Sequence, residues 1–153
     1  MTQWGRCSIA ALALSACLDR AAACDLPLLR LERVTDGALL MQVHTDSFAL
    51  RYRHSVTQTP VDALYSIAPD GRITQTEERF STHGPGLAHD GAGWRQDGAE
   101  MVLPLDRPIP RLVLRTAPEH ENRLIVGGTE TDLTLWPGEP LELGALPCKD
   151  TAP

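Results

Sequence analysis

The sequence predicts an all-β fold, a single antiparallel β-sandwich or barrel behind a cleavable N-terminal signal peptide. Three observations carry this. Apolar and polar residues alternate with period two through much of the chain, as in 48–56 and 61–67, the spacing of a strand with one buried face. Turn signals such as Thr35-Asp36-Gly37, Pro69-Asp70-Gly71 and Asp97-Gly98 break these runs at short intervals. No segment combines a 3.6-residue apolar period with helix caps.

The leader comes first. Arg6 gives a positive start, and residues 7–18 are an apolar run too short to span a bilayer. Ala21-Ala22-Ala23 is an A-x-A cleavage signal, which makes residues 1–23 the signal peptide. Leu14-Ser15-Ala16-Cys17 competes with it as a lipobox, which would remove residues 1–16 and lipidate Cys17. Either route exports the chain, so the expected address is the periplasm, with membrane attachment only through a lipid anchor. Cys24 and Cys148 then remain at the two ends of a β-rich domain over 24–148, followed by a tail over 149–153. An even pair in an oxidising compartment reads as a disulfide. The chain-entropy relation gives roughly 4–5 kcal/mol for a loop of that length.

Along the mature chain, residues 29–34 alternate, turn at 35–37 and return as 38–43. A turn at Asp46-Ser47 leads into 48–56, and a Thr/Gln/Pro connection leads into 61–67. Residues 72–80 follow, polar apart from Ile73 and Phe80, and so expected to be exposed on one side. Residues 81–93, STHGPGLAHDGAG, are too rich in glycine for the interior of a strand or helix and form the longest irregular stretch. A short hairpin over 94–96 and 99–103 is next, then an extended connector through Pro104, Pro108 and Pro110. Strands over 111–116, 123–126 and 133–136 precede a last run at 141–143.

The net charge of −6 and a pI near 5.3 argue against nucleic acid as a partner. Within 48–56, Phe48, Leu50, Tyr52 and His54 share one face, and Arg51, Arg53 and Ser55 share the other. His54 therefore sits at the rim of the core face. There it either serves a pocket or hydrogen-bonds nearby backbone where the strand ends; the second is the expectation. His54 and Ser55 do not form a base–nucleophile pair if Val56 continues the strand, because neighbours project to opposite sides. With no G-x-S-x-G elbow either, no catalytic residue and no enzyme activity is expected. Arg51 and Arg53 could clamp an oxyanion, but pairing across the sheet with Asp62, Glu77 or Glu78 is the simpler expectation. His83, His89 and Asp90 have metal-ligand chemistry without the spacing of a known site. Gly84-Pro85-Gly86 lacks the rest of a phosphate loop. No metal and no cofactor is expected.

The pattern Tyr52-x-His54-Ser55-Val56, Thr59-Pro60-Val61, Thr76-x-x-x-Phe80-Ser81 and Gly84-x-Gly86-Leu87 resembles the bacterial domain-of-unknown-function family eighteen-fifty, over about residues 24–148. The resemblance implies a small exported or membrane-associated protein that accompanies TRAP-type solute transporters of the TAXI class. It points to His54, Ser55, Thr59, Gly84, Gly86 and Leu87 as partner- or ligand-binding residues, to which the oxyanion chemistry of their guanidinium groups adds Arg51 and Arg53. The chain departs from the family pattern at Ala63, where a glutamate is usual, and at Pro85 and Ala88 in the loop. The function expected is a non-catalytic periplasmic accessory protein that contacts TRAP membrane subunits or the substrate-binding protein. Residues 81–93 would fold back over the strand end, with His54 hydrogen-bonded to their backbone. The alternative is a stand-alone module that binds a small anion, a carboxylate, through His54, Arg51, Arg53 and that loop.

Overall fold

Alternation in the sequence becomes two antiparallel sheets packed face to face, so the chain builds the sandwich and not the barrel. The computed structural model describes residues 26–87 and 93–148; the leader with Cys17, the start of the mature chain with Cys24, the loop residues His89 and Asp90, and the tail over 149–153 lie outside the described residues. The strands in chain order are β1 (Leu28–Arg33), β2 (Leu39–His44), β3 (Ser47–Arg53), β4 (Pro60–Ile67), β5 (Ile73–Phe80), β6 (Arg95–Asp97), β7 (Glu100–Ile109), β8 (Leu112–Arg115), β9 (Arg123–Val126), β10 (Thr129–Asp132) and β11 (Pro140–Leu146). Single 3-10 turns lie at Pro118–His120 and Leu133–Leu135. One sheet has the order β2-β1-β11-β8 and the other β10-β9-β3-β4-β5-β7-β6.

The sheets meet through their alternate residues. Leu29, Leu31, Leu141 and Leu143 of the smaller sheet pack with Phe48, Leu50, Ala63, Tyr65, Ile67, Ile73 and Leu124 of the larger. Burying each leucine contributes about 1.5–3 kcal/mol. Phe48 and Tyr65 are cross-strand partners, and their rings stack with centroids 4.7 Å apart.

Four segments depart from the sequence expectation. β3 stops at Arg53, and residues 54–59 turn back tightly, with His54 N–H donating to Thr59 O and Gln58 N–H to His54 O. The loop backbone finds its partners locally, so the strand does not run on to Val56. Pro104 and Pro108 lie inside β7, which the sequence reads as a connector. β6 pairs only with residues 100–102 of β7, so both prolines sit along an edge where a missing N–H breaks no ladder bond. Residues 133–135 form a 3-10 turn in place of the expected strand, with the Asp132 carboxylate accepting from Thr134 N–H at 2.9 Å. The strand there is β10, one element earlier, whose Thr-Glu-Thr-Asp sequence shows no apolar alternation because it is an edge strand paired only with β9.

The fourth departure bears on the site. One side of β5 is open, as its polar sequence predicts, but the buried side also takes two polar residues, Gln75 and Glu78. A register irregularity between Gln75 and Glu77 shifts the phase of the strand, so Ile73 and Gln75 face inward before it, and Glu78 and Phe80 after it.

Candidate functional site

The smaller sheet does not cover the His54 end of the larger one. A second apolar cluster lies there, made of buried Val61, Phe80 and Leu87 with Tyr52 against it. Leu87 comes from the 81–93 loop and plugs this end of the sheet. Tyr52 also packs against the main core and so joins the two clusters.

The plug is held by one buried imidazole. His54 is only 6 % exposed. Its Nδ1 accepts two backbone N–H groups, from Val56 at 3.2 Å and Thr57 at 3.1 Å. Because those partners can only donate, Nδ1 carries no proton. Nε2 therefore carries it and donates to Pro85 O at 3.0 Å. One ring thus closes its own turn and reaches 31 residues ahead to grip the loop. The contact expected between His54 and the loop backbone is present.

What His54 grips is a four-residue turn. Leu87 N–H donates to Gly84 O at 3.2 Å, Pro85 occupies the second position and Gly86 the third, with φ of 90°. These are the marks of a type II turn, whose third position needs positive φ. Gly84 is buried for a different reason. A Cβ there would lie 2.8 Å from His54 Cε1 and 2.8 Å from Thr57 Cγ2, so the ring and the loop touch backbone to face. Thr57 and Thr59 share a hydroxyl hydrogen bond of 2.8 Å beneath. Ser55 is exposed, and its carbonyl accepts from Gln58 Nε2.

The structure therefore brings together His54, Thr59, Gly84, Gly86 and Leu87, but not Arg51 and Arg53. Those two lie on the outer face beside Arg123, around a groove of about 260 Å³ with Glu121 and Glu130. Arg51 donates from Nε and Nη2 to the two Asp62 oxygens at 2.7 and 2.9 Å, which holds its guanidinium above the usual value. Arg53 pairs with Glu121 at 2.9 Å and Arg123 with Asp132 at 2.6 Å. The expected pairing of Arg51 with Asp62 follows from register, since the two residues are cross-strand partners. Glu77 pairs instead with Arg79 and Arg95. Each arginine already meets a carboxylate, and His54 faces the other side, so these residues do not converge on one anion.

Glu78 was the residue sequence reasoning placed wrongly. Strand alternation makes it an outer-face partner for arginine, yet it is buried on the inner face opposite Ala63. A carboxylate thus stands one strand over from the position where the family pattern has glutamate. Burial raises the phenols of Tyr52 and Tyr65, the latter to about 12, with the Glu78 charge the second cause in both. The odd spacing between Ile73 and Phe80, both inward, is the sequence signal of the phase shift.

His83 stacks at a tilt near Phe80 and Trp94, with centroids 5.7 and 6.0 Å away. Among the described residues no three metal-ligating side chains gather. A groove of about 710 Å³ opens between the sheets at Ile73, Ile109, Leu112 and Leu143, and no site residue expected from sequence lines it.

The fold and site define a class: a β-sandwich with one end closed by a histidine-tethered glycine turn. Residues 48–133 match the family described as Domain of unknown function (DUF1850), and the chain belongs to that family. The matched span contains β3, β4, β5 and the 81–93 loop, hence every part of the tether. No curated protein and no solved structure matches the chain.

Proposed function

We propose that this domain is exported and acts as a non-catalytic accessory of a TRAP-type solute uptake system of the TAXI class. The loop held by His54 would be the surface it offers to a membrane subunit or to the substrate-binding protein. The observation that supports this reading most is the use of the imidazole. Both ring nitrogens are spent on backbone groups, whereas a general base needs an open lone pair beside its substrate. Such a ring is a scaffold. The turn it supports is outward: Pro85 and Gly86 are exposed, and so is Val56, whose N–H the same ring accepts. A fixed, exposed loop loses little conformational entropy when a partner docks.

Export and a Cys24–Cys148 disulfide belong to the same proposal, as does lipidation at Cys17 as the alternative to simple cleavage. The β1–β11 ladder pairs Leu28 with Leu146, which stand four residues after Cys24 and two before Cys148 in the chain. The Cys148 N–H also bonds to Pro69 O, which fixes that end of the chain. The intact mass of the mature protein without reductant should show one bridge; two thiols open to maleimide would remove the disulfide. Pull-down from envelope extracts tests the accessory role. TRAP subunits should be retained by the wild-type chain and depleted with His54→Ala. Equal retention by both would take the loop out of the contact, and no TRAP subunit on the wild-type bait would end the reading.

A further inference from the structure

The hydrogen bonds of His54 also give the loop a way to be released. We propose that the His54 tether is an acid-sensitive latch: protonation of the imidazole opens the turn at 54–59 and frees the Gly84–Leu87 turn. The proposal concerns the chain alone and stands whichever partner it meets.

The geometry leaves little choice. In the seated ring Nε2 already bears a proton, donated to Pro85 O at 3.0 Å. A second proton has only Nδ1 to occupy. That atom is the acceptor for the N–H groups of Val56 and Thr57. Protonation there removes both hydrogen bonds and sets three N–H groups against one another. The ring has no slack on that side, because Gly84 lies against its Cε1 and Nδ1 edge closely enough to exclude a methyl group. It must leave its seat, and Pro85 loses its donor with it. Histidine is the side chain that changes charge in mild acid, so the sign is fixed: the latch holds with the ring neutral and is lost as pH falls.

Other charges near the seat do not supply a substitute. On the strand of His54, the Tyr52 phenol is neutral, raised by burial. Arg53 projects outward, bonded to Glu121 and to Gln58 O in the same turn. On β5, Glu78 is buried two residues before Phe80. His83 of the loop lies against Phe80 and Trp94. The described hydrogen bonds of the ring are all to backbone.

The test is amide exchange by NMR on the wild-type protein, expressed as protection relative to an unstructured chain, alongside the ring signals of His54. Between about pH 7.5 and about pH 5, protection at Val56, Thr57 and Leu87 should fall by roughly tenfold as the ring titrates, the scale of the lost hydrogen bonds. Amides of Leu31 and Leu143 in the main core should be unchanged over the same range. His54→Gln should show no such pH step at these amides. A ring that takes up its proton with loop protection unchanged would overturn the latch. So would a ring that stays neutral until the whole domain unfolds, or the same step in His54→Gln, which would assign it to carboxylates.

Discussion

The main core and the plug under the turn are built on different terms. In the main core, Leu29, Leu31, Leu141 and Leu143 are sealed between two sheets, and strands far apart in sequence share the burial. In the plug, one sheet meets one loop, and Leu87, the His54 ring and a four-residue turn do the closing. The first is redundant, because removing one side chain leaves many others packed. The second is a chain of single contacts in series. Bulk stability therefore belongs to the sandwich, whereas the shape of the exposed end depends on one polar tether. Regions of the second kind are those that open locally while the rest stays folded.

The comparison breaks most readily at a leucine in each region. Leu143→Ala should cost about 2–5 kcal/mol of global stability, the range for a large-to-small change in a sealed core. Leu87→Ala should fall at the lower end of that range or beneath it, with the loss concentrated in opening of the loop. Denaturant unfolding followed with limited proteolysis separates the two. Equal losses of global stability would show that sandwich and plug unfold as one unit.

A finer distinction lies between two glycines of the same turn. Gly84→Ala drives a methyl group to 2.8 Å from His54 and Thr57, an overpacking that should cost about 1–3 kcal/mol. Gly86→Ala meets nothing within 4 Å, and its strain comes only from φ of 90°, at about 1 kcal/mol. Thermal unfolding of the two variants should rank them in that order. The reverse order would mean the imidazole has room to move.

Where the sequence could be read, physical causes are visible. Period-two alternation in 61–67 named the buried face of β4 residue by residue, because both sheets demand it. The rim position of His54 and the pairing of Arg51 with Asp62 also followed from strand geometry. Elements without apolar alternation were misread. β10 is held by its neighbour and carries no pattern of its own, and the prolines of β7 pass as a connector until its open edge is known. Glu78 was hidden because a single extra residue in β5, set against β4, reverses which side chains face inward. The partners of His54 were expected only as loop backbone. Which atoms they are depends on the turn at Gly84–Leu87, a tertiary feature that Pro-x and Gly spacing suggests but does not aim.

The central claim is that His54 organises the loop. Amide exchange on His54→Ala at neutral pH tests it most directly. Loss of the ring leaves Val56 and Thr57 N–H and Pro85 O without their partner, at about 1–3 kcal/mol for unsatisfied groups. Protection at Val56, Thr57 and Leu87 should therefore drop by roughly 5- to 150-fold, with Leu31 and Leu143 amides unmoved. Identical protection of the loop in wild type and His54→Ala would contradict the account.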